Sequence, residues 1–367
     1  MRKWMVLVLA VCMLAACAGL ASAAGVTIKT FTPFADMDFA AQNYMDMITA
    51  WEGETGNFVE DYSGSLDEMW MAQLKEQIAA KAADVVVLPV GSGLTVADLV
   101  TAGELAQASE TGAKKFASMK EADGSILLTP VRLYWEALYV NTDVFEKYGL
   151  SVPQTFEQLI TACVVLSQSG VVPIANALCE WPEIVLDCAA LAGADENAYG
   201  QQASLAGAQD VLTVLTQVGA FGPDPWNASD ADMEQKFLAG EAAMRMDADA
   251  LAQMVDEQRL DHVIVMNLPA KDGAPRSKVV GTPAFGAAIT RACWQDDARC
   301  EEAVSFVTKM LSGEGMAALS ASVGGRLGES IAQLTLHAQD CTGILYDMMP
   351  DTFDAWAESV VATLMGL

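Results

Sequence analysis

Hydrophobic positions along this chain change period repeatedly, and the alternation predicts strands and helices in turn. Val26 to Phe31 is a short β-branched run, and Phe39 to Glu54 carries Tyr44, Met47, Ile48 and Trp51 at helical spacing. Asn57 to Tyr62 reads as a second strand, Leu66 to Ala82 as a helix, and Asp84 to Val90 as an unbroken apolar strand of the buried parallel type. A βαβαβ order of this kind predicts an open α/β sheet. Further on, Asp123-Gly124 is a turn, Ser125 to Thr129 a strand ending at Pro130, and Leu138 to Asn141 another strand. Gly149 is placed to end a helix, and Thr155 with Glu157 and Gln158 predicts the start of the next. From there helices dominate: Thr155 to Ser169, Pro182 to Leu191 and Ser204 to Val218.

At 367 residues the chain is long for one core and comfortable for two lobes. Residues 1 to 23 contain the bases Arg2 and Lys3, no acid, and the apolar run Trp4 to Leu14, which together read as an export signal rather than a fold element. Two exits are open. Leu14-Ala15-Ala16-Cys17 matches a bacterial lipobox with Cys17 as the acylated residue, and Ala21-Ser22-Ala23 matches ordinary signal cleavage. No other apolar stretch reaches membrane-spanning length, so the expectation is a lipid-anchored surface protein or a free secreted or periplasmic one. Loss of Arg2 and Lys3 takes the formal net charge from −28 to −30. A surface so acidic repels nucleic acid and anionic lipid.

Six cysteines remain beyond the signal: Cys163, Cys179, Cys188, Cys293, Cys300 and Cys341. Export makes disulfides plausible. Cys293 and Cys300 bracket a polar loop and form the first candidate pair, worth about 2.5 kcal/mol by loop entropy; Cys179 and Cys188 form the second. None shows the spacing of a zinc site.

Several motifs then stand in a fixed order. Tyr139 to Leu150 followed by Pro153, Thr155, Phe156 and Leu159 resembles the entry to the second lobe in the extracellular solute-binding proteins, family 1, of ABC importers, the maltose-binding-protein-like receptors. Trp51 to Val59, Ala83 to Val86 and Gly103 to Ala106 are similar to first-lobe motifs of that family. Phe237 to Met244, with Gly240, Ala242 and Ala243, resembles its helix, glycine and strand signature. Asn267-Leu268-Pro269 and Val280 to Ile289 resemble the return crossing, and Ala303 to Gly315 a later helix. The resemblance covers essentially the whole chain after the signal. It implies a periplasmic-binding-protein-like α/β fold, two lobes with a hinge and an interlobe ligand cleft: lobe I from 26–131 plus 281–325, lobe II from 132–280 plus 326–367. The family usually continues with one more amphipathic helix, so the end at Leu367 is read as a shortened terminal element or a truncated frame.

The resemblance further implies a monomeric extracytoplasmic receptor that binds a mono- or oligosaccharide, needs no cofactor or metal, performs no catalysis, and hands its ligand to ABC permease subunits. Catalytic alternatives find little support. His262 and His337 are the only histidines, both read as structural, and no G-x-S-x-G elbow or phosphate-binding P-loop is present. Paired carboxylates could run a glycosidase, and 48 acids leave that class open. The acidic run Asp230 to Glu234 has no glycine where a calcium loop turns.

Sugars stack apolar C–H faces on aromatic rings and spend their hydroxyls on polar side chains. Tyr134, Trp135 and Glu136 follow Pro130 at the predicted crossover, and the resemblance puts Trp181 at a ligand-stacking position. Trp226 lies in the proline-rich loop at Gly222 to Pro225. Phe34, Asp36, Phe285 and Arg326 complete the candidate ligand set, with Asp247 and Asp249. The last two stand where the family carries a sugar-stacking tryptophan, which brings a polyol, or a cation such as a polyamine, into competition.

Overall fold

In the computed structural model, the described residues are 25–36, 38–89, 129–178, 184–192, 202–269, 280–320 and 323–340. The proposed signal with Cys17, the strand at Ser125, and Trp181, Cys179 and Cys341 lie outside them.

The first half of the architecture follows the predicted alternation. Strand β1 (Thr27–Phe31) leads through helix α1 (Ala41–Thr55) to β2 (Phe58–Asp61), and α2 (Glu68–Ala79) leads to β3 (Val85–Pro89). β1 lies between β2 and β3, parallel to both. α1 ends on Gly56 in the left-handed conformation, φ 73°, which glycine adopts without a Cβ penalty. α2 starts on Asp67, whose side chain accepts from the Trp70 N–H. The stripe Tyr44, Met47, Ile48 and Trp51 is buried as its spacing predicts.

β4 (Thr129–Asn141) then runs far longer than the predicted strand from Leu138, and α3 (Thr142–Lys147), α4 (Phe156–Gln168), β5 (Val172–Ile174), α5 (Ile184–Leu191) and α6 (Gln202–Gln217) follow. α7 (Asp230–Leu238) precedes β6 (Ala242–Ala248), two short 3-10 turns at Asp249–Met254 and Glu257–Arg259, and β7 (Val263–Met266). β8 (Val280–Ile289) returns to the first half, and α8 (Arg291–Trp294), α9 (Asp297–Met310), α10 (Gly313–Ser320) and α11 (Gly325–Asp340) complete the described chain.

Two sheets are joined by the pair of long strands. β8 pairs antiparallel with β3 through Phe285 to Ile289, while β4 pairs with β6 and β7 through Glu136 to Asn141. Between those ends β4 and β8 pair with each other, so the hydrogen-bonded path is continuous from β2 to β5. The register slips on both sides of Arg132↔Phe285, leaving Val131 extra on β4 and Ala284 extra on β8. Pro130 is tolerated within the strand because it sits at the bulge, where a ladder N–H is dispensable.

Apolar burial divides the same way. Ile28, Phe34, Tyr44, Trp51, Val87, Val131, Phe306 and Leu319 form the central cluster of the first half. In the second, Leu138, Phe145, Leu159, Leu212, Phe221 and Met244 form one cluster. Trp135, Tyr139, Phe237, Leu251, Leu327 and Ile331 form another.

The cysteine expectation needs correction. Cys293 and Cys300 are free thiols here, as are Cys163 and Cys188. Cys293, in α8, is buried with Val85, Ile289 and Ala303, whereas Cys300, in α9, is only half-buried. Burial, reinforced by Asp84, pushes the Cys293 thiol upward, away from the reactive thiolate. The second candidate pair cannot be followed, because Cys179 lies outside the described residues.

Candidate functional site

Where the two sheets meet, the loop after β1 faces the start of β4. Phe34 is buried there, its N–H donating to Thr32 Oγ1 at 3.2 Å. Its ring packs 5.6 Å from Tyr44 and 5.8 Å from Phe285, the second contact edge-on. Asp38 turns the loop into α1: its Oδ1 accepts from the Ala40 N–H at 2.8 Å, and its Oδ2 accepts from Arg132 Nη1 at 2.8 Å. The Arg132 guanidinium in turn lies 3.7 Å from the Phe39 ring centroid and 5.4 Å from that of Phe285. One cation on β4 therefore ties together the loop, two aromatic rings and the returning strand.

A second polar cluster is built by the end of β6. Arg245 is fully buried and donates to the Ala175 carbonyl at 2.7 Å and to Asp230 Oδ2 at 2.7 Å, with Asp247 on its Nε. Asn176 clasps the same strand through both its amide oxygen and nitrogen to Met246. Burial raises the Asp247 carboxyl above its ordinary range even though Arg245 opposes the shift. Two residues further, Asp249 opens the 3-10 turn and is 7% exposed. Burial pushes its carboxyl up to about 7, against the pull of Arg132 and of the nearby N–H groups of Asp249 and Ala250, with Asp247 adding to the rise.

Trp135 and Tyr139, both on β4, pack beside the end of β6. Trp135 is 1% exposed and stacks on Tyr139 at 6.0 Å, and the Tyr139 hydroxyl donates to the Ala248 carbonyl at 2.9 Å, next to Asp249. Its indole N–H has no hydrogen-bond partner among the described residues. Glu136 is fully buried beside Trp135, and its strand neighbours are Ala248 and Val280.

The structure thus brings together Phe34, Trp135, Glu136, Asp247, Asp249 and Phe285 around the joint. Asp36 stands on the exposed rim at φ 54°, accepting from the Ser65 hydroxyl. Trp226 packs half-buried against the large second-half core, and Arg326 lies on the exposed start of α11, where its N–H binds Asp261. Nothing is described of the Tyr134 side chain or of Trp181. Three participants escaped sequence reasoning: Asp38, Phe39 and Arg132. Arg132 carried a usable signal, a lone cation two residues after Pro130 in an acidic chain. His262 pairs on the surface with Asp143 at 2.8 Å, apart from this site.

Among the described residues no group of three His, Cys, Asp or Glu side chains is arranged to hold a metal ion, and no helix is long and apolar enough to cross a membrane. What the arrangement can do is grip a small polar molecule between donors, acceptors and aromatic rings.

Comparison with known proteins bears on the fold and the family. No curated protein matches the chain. Among solved structures, the apo-form of RafE from Streptococcus pneumoniae is 17% identical, with 94% of this chain and 95% of that one covered at a TM-score of 0.65. A probable secreted solute-binding lipoprotein from Streptomyces coelicolor is 14% identical, covering 93% and 98% at 0.63. The bacterial solute receptor AcbH, described as having an exclusive preference for β-D-galactopyranose, is 15% identical, covering 94% and 96% at 0.61. At such identities these likenesses establish the fold, that of the periplasmic-binding-protein-like receptors. The profile of the bacterial extracellular solute-binding proteins matches residues 40–317, and the chain belongs to that family.

Proposed function

We propose that the protein is the carbohydrate receptor of an ABC importer, taking a mono- or oligosaccharide into the cleft between its halves and delivering it to the membrane permease. The observation that carries this reading is the joint itself. Phe39 and Phe285 supply ring surface beside Arg132, with Phe34 packed behind Phe285, and Asp249 supplies an acceptor from the end of β6. Such a mixture of aromatic faces and charged hydrogen-bonding groups suits a sugar ring and its hydroxyls. The sugar preference stated for AcbH adds to it by likeness of fold.

The two halves, 26–131 plus 281–325 and 132–280 plus 326–367, act as lobes that close on the ligand about the bulged stretch of β4 and β8. Trp135, Trp181 and Trp226 are further contact candidates. The receptor acts as a monomer outside the cytoplasmic membrane, held by a lipid on Cys17 or released by cleavage after Ala23. A cationic ligand is the second reading, favoured by the carboxylates of Glu136, Asp247 and Asp249 that act on Tyr139.

A thermal-shift screen of sugars, polyols and polyamines tests the assignment. A ligand at 100 times its Kd raises stability by about 2.7 kcal/mol. Stabilisation by a saccharide is the expected result; stabilisation by polyamines alone would select the second reading. Turnover of chromogenic glycosides that depends on one carboxylate would instead identify a secreted glycosidase.

A further inference from the structure

Helix α10 packs into both halves of the molecule. Its buried residues include Met316 and Leu319, about one turn apart. Leu319 joins the first-half cluster of Tyr44, Phe306 and Met310, whereas Met316 joins the second-half cluster of Trp135, Leu327 and Ile331. The chain on either side of α10 is held to different halves. Before it, Ser312 Oγ donates to the Lys309 carbonyl at 2.7 Å and accepts from the Gly315 N–H at 3.0 Å, and Gly315 lies so near the end of α9 that a Cβ there would collide with the Lys309 carbonyl oxygen. After it, the Leu327 N–H donates to the Leu260 carbonyl at 2.9 Å and the Arg326 N–H to Asp261 Oδ1 at 3.0 Å. Toward α1, by contrast, α10 leaves a groove of about 300 Å³, lined by Asn43, Asp46, Met47, Lys309, Glu314 and Ala318 among others. Asn43 Nδ2 spans the two helices to the Ala318 carbonyl at 2.9 Å, and Lys309 reaches from α9 to Glu54, near the end of α1, at 2.7 Å. A tilt of α10 relative to α1 is accommodated in this groove, where close packing would resist it.

We propose that α10 is a lever coupling the two halves, and that the α1–α10 groove is a control point for their closure outside the cleft. As the halves close about β4 and β8, Met316 moves with the second core and α10 tilts against α1, changing the width of the groove. This rests on the reading of the halves as closing lobes and adds to it a named transmitting element. Closure and groove width then belong to one equilibrium, so whatever fixes the width biases closure, and ligand binding biases the width in return. A group that fills the groove therefore changes ligand affinity without touching the ligand. Met316 is the contact through which the effect passes, because it is the residue of α10 that sits in the second-half cluster.

The test fills the groove from within by Ala318→Phe and pairs that change with Met316→Ala in a double-mutant cycle on the full chain. Small-angle X-ray scattering of the ligand-free protein reads the separation of the halves, and calorimetric titration with D-galactose, maltose and raffinose reads affinity. Ala318→Phe should change the radius of gyration, and should change the affinity of any of these sugars that binds the wild type by about 2- to 30-fold, although Ala318 is not among the residues gathered at the joint. In the Met316→Ala background the same substitution should change both much less; independent structural effects would simply add. Melting temperatures control for misfolding, and if Ala318→Phe does not fold, Ala318→Leu replaces it. Folded groove variants whose scattering and affinity both match the wild type overturn the lever while the receptor reading stands. An effect of full size in the Met316→Ala background overturns it as well. If the wild type binds none of the three sugars, the carbohydrate reading loses its support, and the scattering cycle decides the lever by itself.

Discussion

Arg132 and Phe285 face each other as a single registered pair between two β-bulges, one residue of slack on each strand. The double slip lets β4 and β8 serve two sheets. Side chains alternate faces with a period of two, so each extra residue turns the following part of its strand over. Arg132 is thereby delivered to Asp38 and Phe39 of the first half, while Trp135 and Tyr139, only a few positions later, pack in the core of the second. Removing the slack should therefore undo the site. Deleting Val131 alone leaves the extra Ala284 uncompensated and shifts the β4–β8 register by one residue on one side of the joint, and the expected outcome is loss of ligand-induced stabilisation along with a lowered melting temperature.

Arg245 anchors the second polar cluster, and its partners make it sensitive to truncation. Arg245→Met leaves the buried carboxylate of Asp247 and the half-buried one of Asp230 without their cation, with an expected cost of about 3 to 5 kcal/mol. Chemical denaturation reads the loss. The triple replacement Arg245→Met, Asp230→Asn and Asp247→Asn removes the orphaned charges and should recover much of it; failure to recover would show that packing, not charge, is what the arginine supplies.

Asp249 predicts a pH dependence whose sign is fixed by its burial. An unfolded aspartate titrates near 3.8, and the folded one holds its proton up to about 7. The folded state therefore binds more protons between those values, so the contribution is fully present below about 4 and is lost as pH rises through about 7. The stability of wild type relative to Asp249→Asn is therefore expected to fall by about 2 to 3 kcal/mol from pH 5 to pH 8. Denaturation curves for both proteins across that range measure it, and a difference that does not change with pH contradicts the assignment.

Most of the scaffold was legible because its signals are local. The stripe at Tyr44, Met47, Ile48 and Trp51 marks α1 by spacing alone, and Thr155 caps α4 as its side chain predicts, accepting from Gln158. β4 was read short because Pro130 and the polar and aromatic residues Arg132 to Glu136 break the strand pattern, and a bulge that tolerates them depends on pairing with a strand some 150 residues away. The site was legible only in part for the same reason. Trp135, Asp247 and Asp249 stood out by residue type, whereas Arg132 gains its meaning from Asp38, 94 positions earlier. Local spacing also could not tell that Cys293 faces the core while Cys300 lies nearer the surface.

Membrane attachment is testable apart from the fold. With the lipobox route, replacing Cys17 by Ser moves the protein from the membrane fraction to the soluble one. With ordinary cleavage, fractionation stays the same and the mature N-terminus is Ala24.

Trp135 and Trp181 are expected to respond oppositely to truncation. Trp135 is 1% exposed and stacked on Tyr139, so Trp135→Ala opens a cavity and should cost about 3 to 5 kcal/mol of ligand-free stability. Its indole N–H, without a partner among the described residues, gives a second handle: Trp135→Phe keeps most of the volume, and if that donor serves the ligand, affinity falls while the melting temperature changes little. Trp181, proposed to stack on the sugar, should show the reverse pattern. Trp181→Ala then removes roughly 1 to 3 kcal/mol of binding, about 5- to 150-fold in affinity, and leaves ligand-free stability nearly unchanged. Melting temperature without ligand, measured beside saccharide affinity, separates the cases. A large stability loss in Trp181→Ala with normal binding by the folded remainder would remove Trp181 from the cleft.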